Sequence, residues 1–231
     1  MQVFGFPSAV FGTNCYVVAT ADGQECVVVD PGIEVVGELG EVLREHRLRP
    51  AAVLLTHGHL DHTYSVTPVC GAHGVAAHIH GADRYRLHDP LRELDSGVVT
   101  MLEQQFGRAA TWAQPDDVVE LADGEQLELA GLRLDVVHAP GHTEGSVMFS
   151  LAGAPAGVEA EHTLLTGDVL FAGSIGRTDL AGGDHDAMLR TLRERVLPRG
   201  DDTLVLPGHG PQTTIGRERT SNPFLHQLQP S

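Results

Sequence analysis

Three histidines and one aspartate crowd six consecutive residues, His57-Gly58-His59-Leu60-Asp61-His62, directly after Thr56. Imidazole nitrogen and carboxylate oxygen are the donors that zinc prefers and that iron and manganese also accept, so the spacing reads first as a metal-binding pattern. On extended backbone, side chains alternate with period 2, and His57 and His59 would turn both rings to one side. Asp61 and His62 then offer a second pair of donors one turn further on. Later stretches carry the same donor types: Val136-Val137-His138-Ala139-Pro140-Gly141 leads into His142, Leu164-Leu165-Thr166-Gly167 into Asp168, and Leu204-Val205-Leu206-Pro207-Gly208 into His209. A glycine precedes each of these, which lets the backbone turn tightly and approach an ion closely. Seven donors are too many for one tetrahedral ion and suit two ions that share a bridge.

The elements that must position these residues are short apolar runs. Ala51 to Leu55 reads as a buried strand, with the histidine cluster in the loop at its carboxyl end, where sites in layered α/β folds tend to lie. Ahead of it, Asn14 to Val18 and Glu25 to Asp30 flank the turn signal Ala21-Asp22-Gly23 and read as a β-hairpin. Val35, Val36, Leu39, Val42 and Leu43 follow helical spacing up to about Arg47. Val75 to His80 reads as another strand, and Ala82 to Phe106 as a region with helical patches around Val98 to Phe106. A β-rich second half begins near Val118. Leu127 to Leu129 and Leu132 to Val137 alternate around Ala130-Gly131, and Ser146 to Leu151 and Thr163 to Leu165 continue the pattern. Asp184 is placed to cap a helix from His185 to Leu197, and Thr203 to Leu206 reads as the last strand. No stretch is long or polar enough to serve as a linker, so residues 1–231 are expected to form a single domain.

Composition narrows the function classes. Of 231 residues, 42% are hydrophobic, enough for a sizeable core, and the formal net charge of −16 argues against nucleic acid as a partner. All 15 basic residues are arginine. The N-terminal residues show neither a signal peptide nor a membrane span, so a cytoplasmic protein is expected. Cys15, Cys26 and Cys70 lack C-x-x-C spacing and suggest buried free thiols rather than a disulfide framework. His78 and His80 form another H-x-H pair, but no further donors converge on them, and a sheet-packing or surface role is expected for them and for the remaining histidines.

The motif His57-Gly58-His59-Leu60-Asp61-His62, followed by His142, Asp168 and His209, resembles the metal motif of the metallo-β-lactamase-fold superfamily over almost the whole chain. That resemblance implies an α/β (α+β) fold, a four-layer αββα sandwich with the site along one edge of two sheets. It further implies His57, His59 and His142 on a first metal, Asp61, His62 and His209 on a second, Asp168 bridging them, and Asp30 behind the first loop as an orienting carboxylate. The stretch Gly173-Ser174-Ile175-Gly176-Arg177-Thr178-Asp179-Leu180, with Gly182-Gly183-Asp184, resembles a segment of glyoxalase II-like hydrolases and of persulfide dioxygenases. The tail from Pro207 to Phe224 resembles the end of the shorter glyoxalase II-like proteins, without the helical C-terminal domain of the full-length enzymes.

The implied activity is hydrolysis of a thioester such as a 2-hydroxyacyl thiol, with two divalent ions, zinc first and iron or manganese as substitutes. A metal-activated hydroxide would attack the acyl carbonyl, and Asp61 would orient that nucleophile or take its proton. Arg177 could bind a substrate carboxylate through its planar fork, or pair with Asp179 and brace the loop. The expected partner is a small-molecule thioester, with no membrane involved. The runner-up is a persulfide dioxygenase with one ferrous ion on His57, His142 and Asp168. A metal-binding module without catalysis is disfavoured, since a structural site would close with four donors.

Overall fold

The computed structural model describes residues 1–21, 23–91, 96–106 and 113–228. Asp22, part of the expected hairpin turn, lies outside the described residues. The chain opens with strands β1 (Gln2–Pro7), β2 (Asn14–Ala19) and β3 (Glu25–Val29), then helix α1 (Val36–His46) and strand β4 (Arg49–Leu54). The short helix α2 (Leu60–Thr63), helix α3 (Val66–His73) and strand β5 (Ala77–His80) follow. A 3-10 turn (Gly81–Asp83) leads into α4 (Arg84–His88) and α5 (Ser96–Phe106), then strands β6 (Val118–Leu121), β7 (Gln126–Leu129), β8 (Leu132–His138), β9 (Val147–Ala152) and β10 (His162–Gly167). The chain continues through β11 (Leu170–Phe171), β12 (Ser174–Ile175), α6 (His185–Thr191) with a π-helical turn (Leu192–Val196), β13 (Leu204–Pro207), β14 (Thr213–Thr214), α7 (Ile215–Ser221) and α8 (Pro223–His226).

Two six-stranded sheets result, ordered β1-β2-β3-β4-β5-β6 and β14-β13-β10-β9-β8-β7. The period-2 pattern of the strands explains the layers. Val27 and Val29 of β3, with Ala52 and Leu54 of β4, pack against Leu134, Val136, Phe149 and Leu165 of the second sheet. Their neighbours Cys26, Val28 and Val53 face the other way, onto Leu39 and Leu43 of α1 and Val66, Val69 and Cys70 of α3. The second sheet likewise turns Met148, Leu164 and Val205 outward, against Met188 of α6, Leu192 and Val196 of the π turn, Ile215 of α7 and Leu225 of α8. The central strands of each sheet are buried on both faces, and the order helix, sheet, sheet, helix is the αββα sandwich expected.

Several boundaries differ from the sequence pattern. β1 lies ahead of the first strand pattern read from the sequence, which begins at Asn14. It is an edge strand, and Gly5 is needed where the Tyr16 ring crosses it, since a Cβ there would lie 2.7 Å from Tyr16 Cε1. β6 pairs with β5 in parallel and so closes the first sheet, which moves the start of the second half to β7. The strand at Thr203 to Leu206 is not the last, because the two-residue β14 pairs antiparallel with β13. The Asp184 carboxylate caps α6 as expected, accepting from Ala187 N at 2.9 Å.

Candidate metal centre

The donors converge because the strands carrying them end at one edge of the two sheets. β4 delivers Thr56 and the histidine loop, β8 delivers His142, β10 delivers Asp168 and β13 delivers His209. Cross-ties lock the strand ends together. Val147 N donates to Thr56 O at 2.7 Å, Gly208 N to Gly167 O at 2.8 Å, and Asn14 N to Gly208 O at 2.7 Å. Asn14 Nδ2 and Tyr16 Oη both donate to the Pro207 carbonyl, at 3.0 and 2.8 Å. Close approach matters at Gly208: a Cβ there would lie 2.2 Å from Asp168 Oδ1 and 2.7 Å from His62 Cε1.

All seven donors expected from the sequence come together. His57, His59 and His142 form one group and Asp61, His62 and His209 another, with the donor atoms of each within 4.8 Å of one another. In the first, His59 Nδ1 lies 3.1 Å from His57 Nε2 and 2.8 Å from His142 Nε2. In the second, His209 Nε2 lies 3.4 Å from His62 Nε2 and 3.3 Å from Asp61 Oδ2. Asp168 stands between them, its Oδ2 3.5 Å from both His142 Nε2 and His209 Nε2 and its Oδ1 3.3 Å from His62 Nε2.

Hydrogen bonds on the far side of the rings set which nitrogen faces inward. His62 Nδ1 donates to Asp30 Oδ2 at 2.9 Å and His142 Nδ1 to the Arg177 carbonyl at 2.8 Å, leaving each Nε2 as the inward donor. Asp30 also accepts from Thr56 N at 2.8 Å and Thr56 Oγ1 at 2.6 Å, so one buried carboxylate braces both the loop and His62. Thr13 Oγ1 donates to Asp61 Oδ2 at 2.9 Å, a contact the sequence reading missed because Thr13 belongs to no motif.

The electrostatics fit a cation. Burial and the neighbouring imidazoles push His57 well below its ordinary value and His59 down to about 3, so both rings are neutral with a lone pair available. Burial alone would lower His62 and raise the carboxyls, but the aspartates around His62 outweigh burial and raise it. In turn His62 and His209 hold Asp61 and Asp168 below the usual carboxylate range. Asp168 Oδ1 is buried and, among the described residues, has no hydrogen-bond partner, with His62 Nε2 3.3 Å away. An ionised carboxylate oxygen left so is costly unless a cation meets it. The residues therefore fit a metal site, with the neutral imidazoles of His57 and His59 beside anionic oxygens and one carboxylate oxygen unsatisfied.

The centre opens into a cavity of about 710 Å³ whose walls include Phe11, Leu60, Phe171, Ile175 and Leu180. Arg177 is at its rim. The side chain is exposed and makes a two-pronged pair with Asp179, both contacts 2.8 Å, which is the loop-bracing arrangement. The remaining histidine pair behaves as expected: His78 is buried in the sheet, and His80 stacks on His138 with centroids 4.2 Å apart. The three cysteines are buried and free, with the Cys70 thiol pushed up to about 12 by burial. Among the described residues, no helix is long and apolar enough to cross a membrane.

Comparison with known proteins points the same way. The sequence family described as the metallo-beta-lactamase superfamily matches residues 9–209. Hydroxyacylglutathione hydrolase GloC of Haemophilus influenzae is 35% identical over 98% of this chain and 99% of its own. Among solved structures, the B3 metallo-beta-lactamase BLEG-1 is 37% identical with a TM-score of 0.80, covering 97% of this chain and 99% of its own. TTHA1623, crystallised in a di-iron-bound form, is 34% identical with a TM-score of 0.76, covering 96% of this chain and 100% of its own.

Proposed function

The chain belongs to the metallo-beta-lactamase superfamily, and we propose that within it this protein is a two-metal hydrolase of small-molecule thioesters, 2-hydroxyacyl thiols first among them. The observation that carries the reading is the pairing of two donor groups around Asp168, open on one side to a partly apolar cavity. The similarity to GloC along nearly the whole of both chains supports a thioester as the substrate.

His57, His59 and His142 would hold the first ion, Asp61, His62 and His209 the second, and Asp168 both. Two divalent ions, zinc in this proposal, would supply a water deprotonated near neutral pH and Lewis-acid stabilisation of the acyl oxygen. The protein's own groups do the rest. Asp61, with Oδ2 held by Thr13, would orient the attacking water or take its proton. Phe171 and Ile175 shield the reacting carbonyl from bulk water on the cavity side. At the rim, Arg177 would exchange Asp179 for a carboxylate of the substrate, a cheap exchange because the existing pair is exposed and screened.

The test is a panel on purified, metal-analysed protein: thiol release from a lactoyl thioester, opening of a β-lactam, and oxygen uptake with a persulfide. Thiol release with two metals per chain is expected. Oxygen uptake with one iron per chain would replace the hydrolase by a dioxygenase, and β-lactam opening without thiol release would move the substrate class. Full activity in His209→Ala would remove the second metal from the mechanism.

A further inference from the structure

Behind the first donor group lies a buried ion pair that offers no donor to it. Asp83 ends the 3-10 turn Gly81–Asp83, Arg86 follows on α4, and both are buried, at 0% and 2% exposure. Four donors fill the two oxygens of Asp83. Oδ2 accepts from Gly58 N at 2.8 Å and Thr143 Oγ1 at 2.7 Å, while Oδ1 accepts from Gly145 N at 2.9 Å and Arg86 Nη1 at 2.6 Å. Gly58 stands between His57 and His59, and Thr143 is next to His142. One carboxylate therefore grips the backbone between His57 and His59 and the side chain next to His142. Arg86 balances its charge and reaches further, Nη2 donating to the Ala181 carbonyl at 3.1 Å.

Glycines make room for the pair on every loop it touches. A Cβ would lie 2.8 Å from Arg86 Cβ at Gly58, 2.6 Å from Asp83 Cγ at Gly145, and 2.4 Å from Arg86 Nη2 at Gly182. A buried ion pair adds little net stability by itself, because desolvation offsets the attraction. Its placement, across two loops that are 83 residues apart at His59 and His142, is what distinguishes it.

We propose that Asp83 is a positioning residue for the first metal: it sets the placement of His57 and His59 relative to His142, and hence the affinity of that group for its ion. The proposal rests on the reading that these three histidines hold a metal. Asp83→Asn keeps the shape but replaces one acceptor oxygen by an NH₂ group. Whichever way the amide turns, a backbone N–H, of Gly58 or of Gly145, loses its acceptor.

The test is a cobalt(II) titration of the metal-free full chain against a competing chelator, followed by visible absorption. The first-group constant is the one lost in His59→Ala, and the second-group constant the one lost in His209→Ala. In Asp83→Asn the first-group constant is expected to weaken about 10- to 100-fold, as for other groups that orient metal ligands, with the second-group constant at its wild-type value. Thr143→Ala, which keeps the carboxylate and removes one of its four donors, carries the test if Asp83→Asn does not fold, with the same selective loss at smaller size. Equal weakening of both constants, or of neither, would overturn the proposal. Failure of the wild type to take up cobalt would overturn it together with the two-metal reading. The selective loss in a protein that cleaves no thioester would leave it standing and sink only the proposed reaction.

Discussion

Replacing Asp30 by asparagine should switch off the second metal position by reversing one tautomer. Asp30 is 2% exposed and accepts three hydrogen bonds, from Thr56 N, Thr56 Oγ1 and His62 Nδ1, at 2.8, 2.6 and 2.9 Å. Its φ of +49° is one that asparagine adopts more readily than most residues, so the substitution probes chemistry rather than backbone strain. The amide oxygen would stay on the Thr56 N–H, which has no other acceptor. Its NH₂ would then face His62 Nδ1, which can only accept from it by shifting its own proton to Nε2, and the inward lone pair is lost. Loss of a ligand-orienting partner costs about 10- to 100-fold in metal affinity, or about 1.4 to 2.8 kcal/mol. A charge-assisted bond to a buried carboxylate is itself worth about 1.5 to 3 kcal/mol, which agrees in size. The assay is the same chelator-competed cobalt titration, with ¹⁵N chemical shifts of the His62 ring read in the metal-free protein. Second-group affinity at the wild-type level, or a His62 ring that keeps its proton on Nδ1, would refute the reasoning.

Three further outcomes are expected. The aspartates around His62 outweigh burial and raise its pKa, which favours a proton on the metal-free ring that an ion at Nε2 would displace. Calorimetry in buffers of different ionisation enthalpy should therefore show proton release on metal uptake, and buffer-independent heats would contradict this. Gly141→Ala should lower the melting temperature by several degrees, since φ is +139° and a Cβ would lie 2.5 Å from both Met188 N and Met188 Cα. An unchanged melt would show that α6 can move away freely. Arg177→Ala should leave the melting temperature unchanged, because the Asp179 pair is exposed, while raising KM for a carboxylate-bearing thioester more than it changes kcat; an unchanged KM would remove Arg177 from substrate binding.

Much of the centre was legible in the chain because ligand chemistry constrains residue type and strand ends constrain position. A histidine or aspartate straight after a strand and a glycine can be recognised without knowing what it touches, which is why all seven donors could be named. Thr13 and Asp83 could not. Each acts through a hydrogen bond to a residue 25 or more positions away, Thr13 to Asp61 and Asp83 to Gly58, Thr143 and Gly145, and nothing in their local pattern distinguishes them from surface residues. The same limit applies to the fold. Short apolar runs marked β3 and β4 and alternation marked β8, β9 and β10, whereas β1 and β14 are held by pairing to a neighbour more than by their own pattern, and β6 could be assigned to a sheet only by its register with β5.

The bridge between Thr13 and His209 joins the beginning of the chain to its last donor. Contacts of such long sequence separation form late, because closing the loop costs entropy before any contact repays it. During synthesis His57, His59, Asp61 and His62 emerge well before His142 and Asp168, and His209 comes last of all. A nascent chain thus presents an incomplete set that a stray ion can occupy only loosely. The group Asp61, His62 and His209 is complete only when the end of β13 has met the start of β2, whereas His57, His59 and His142 can assemble without it.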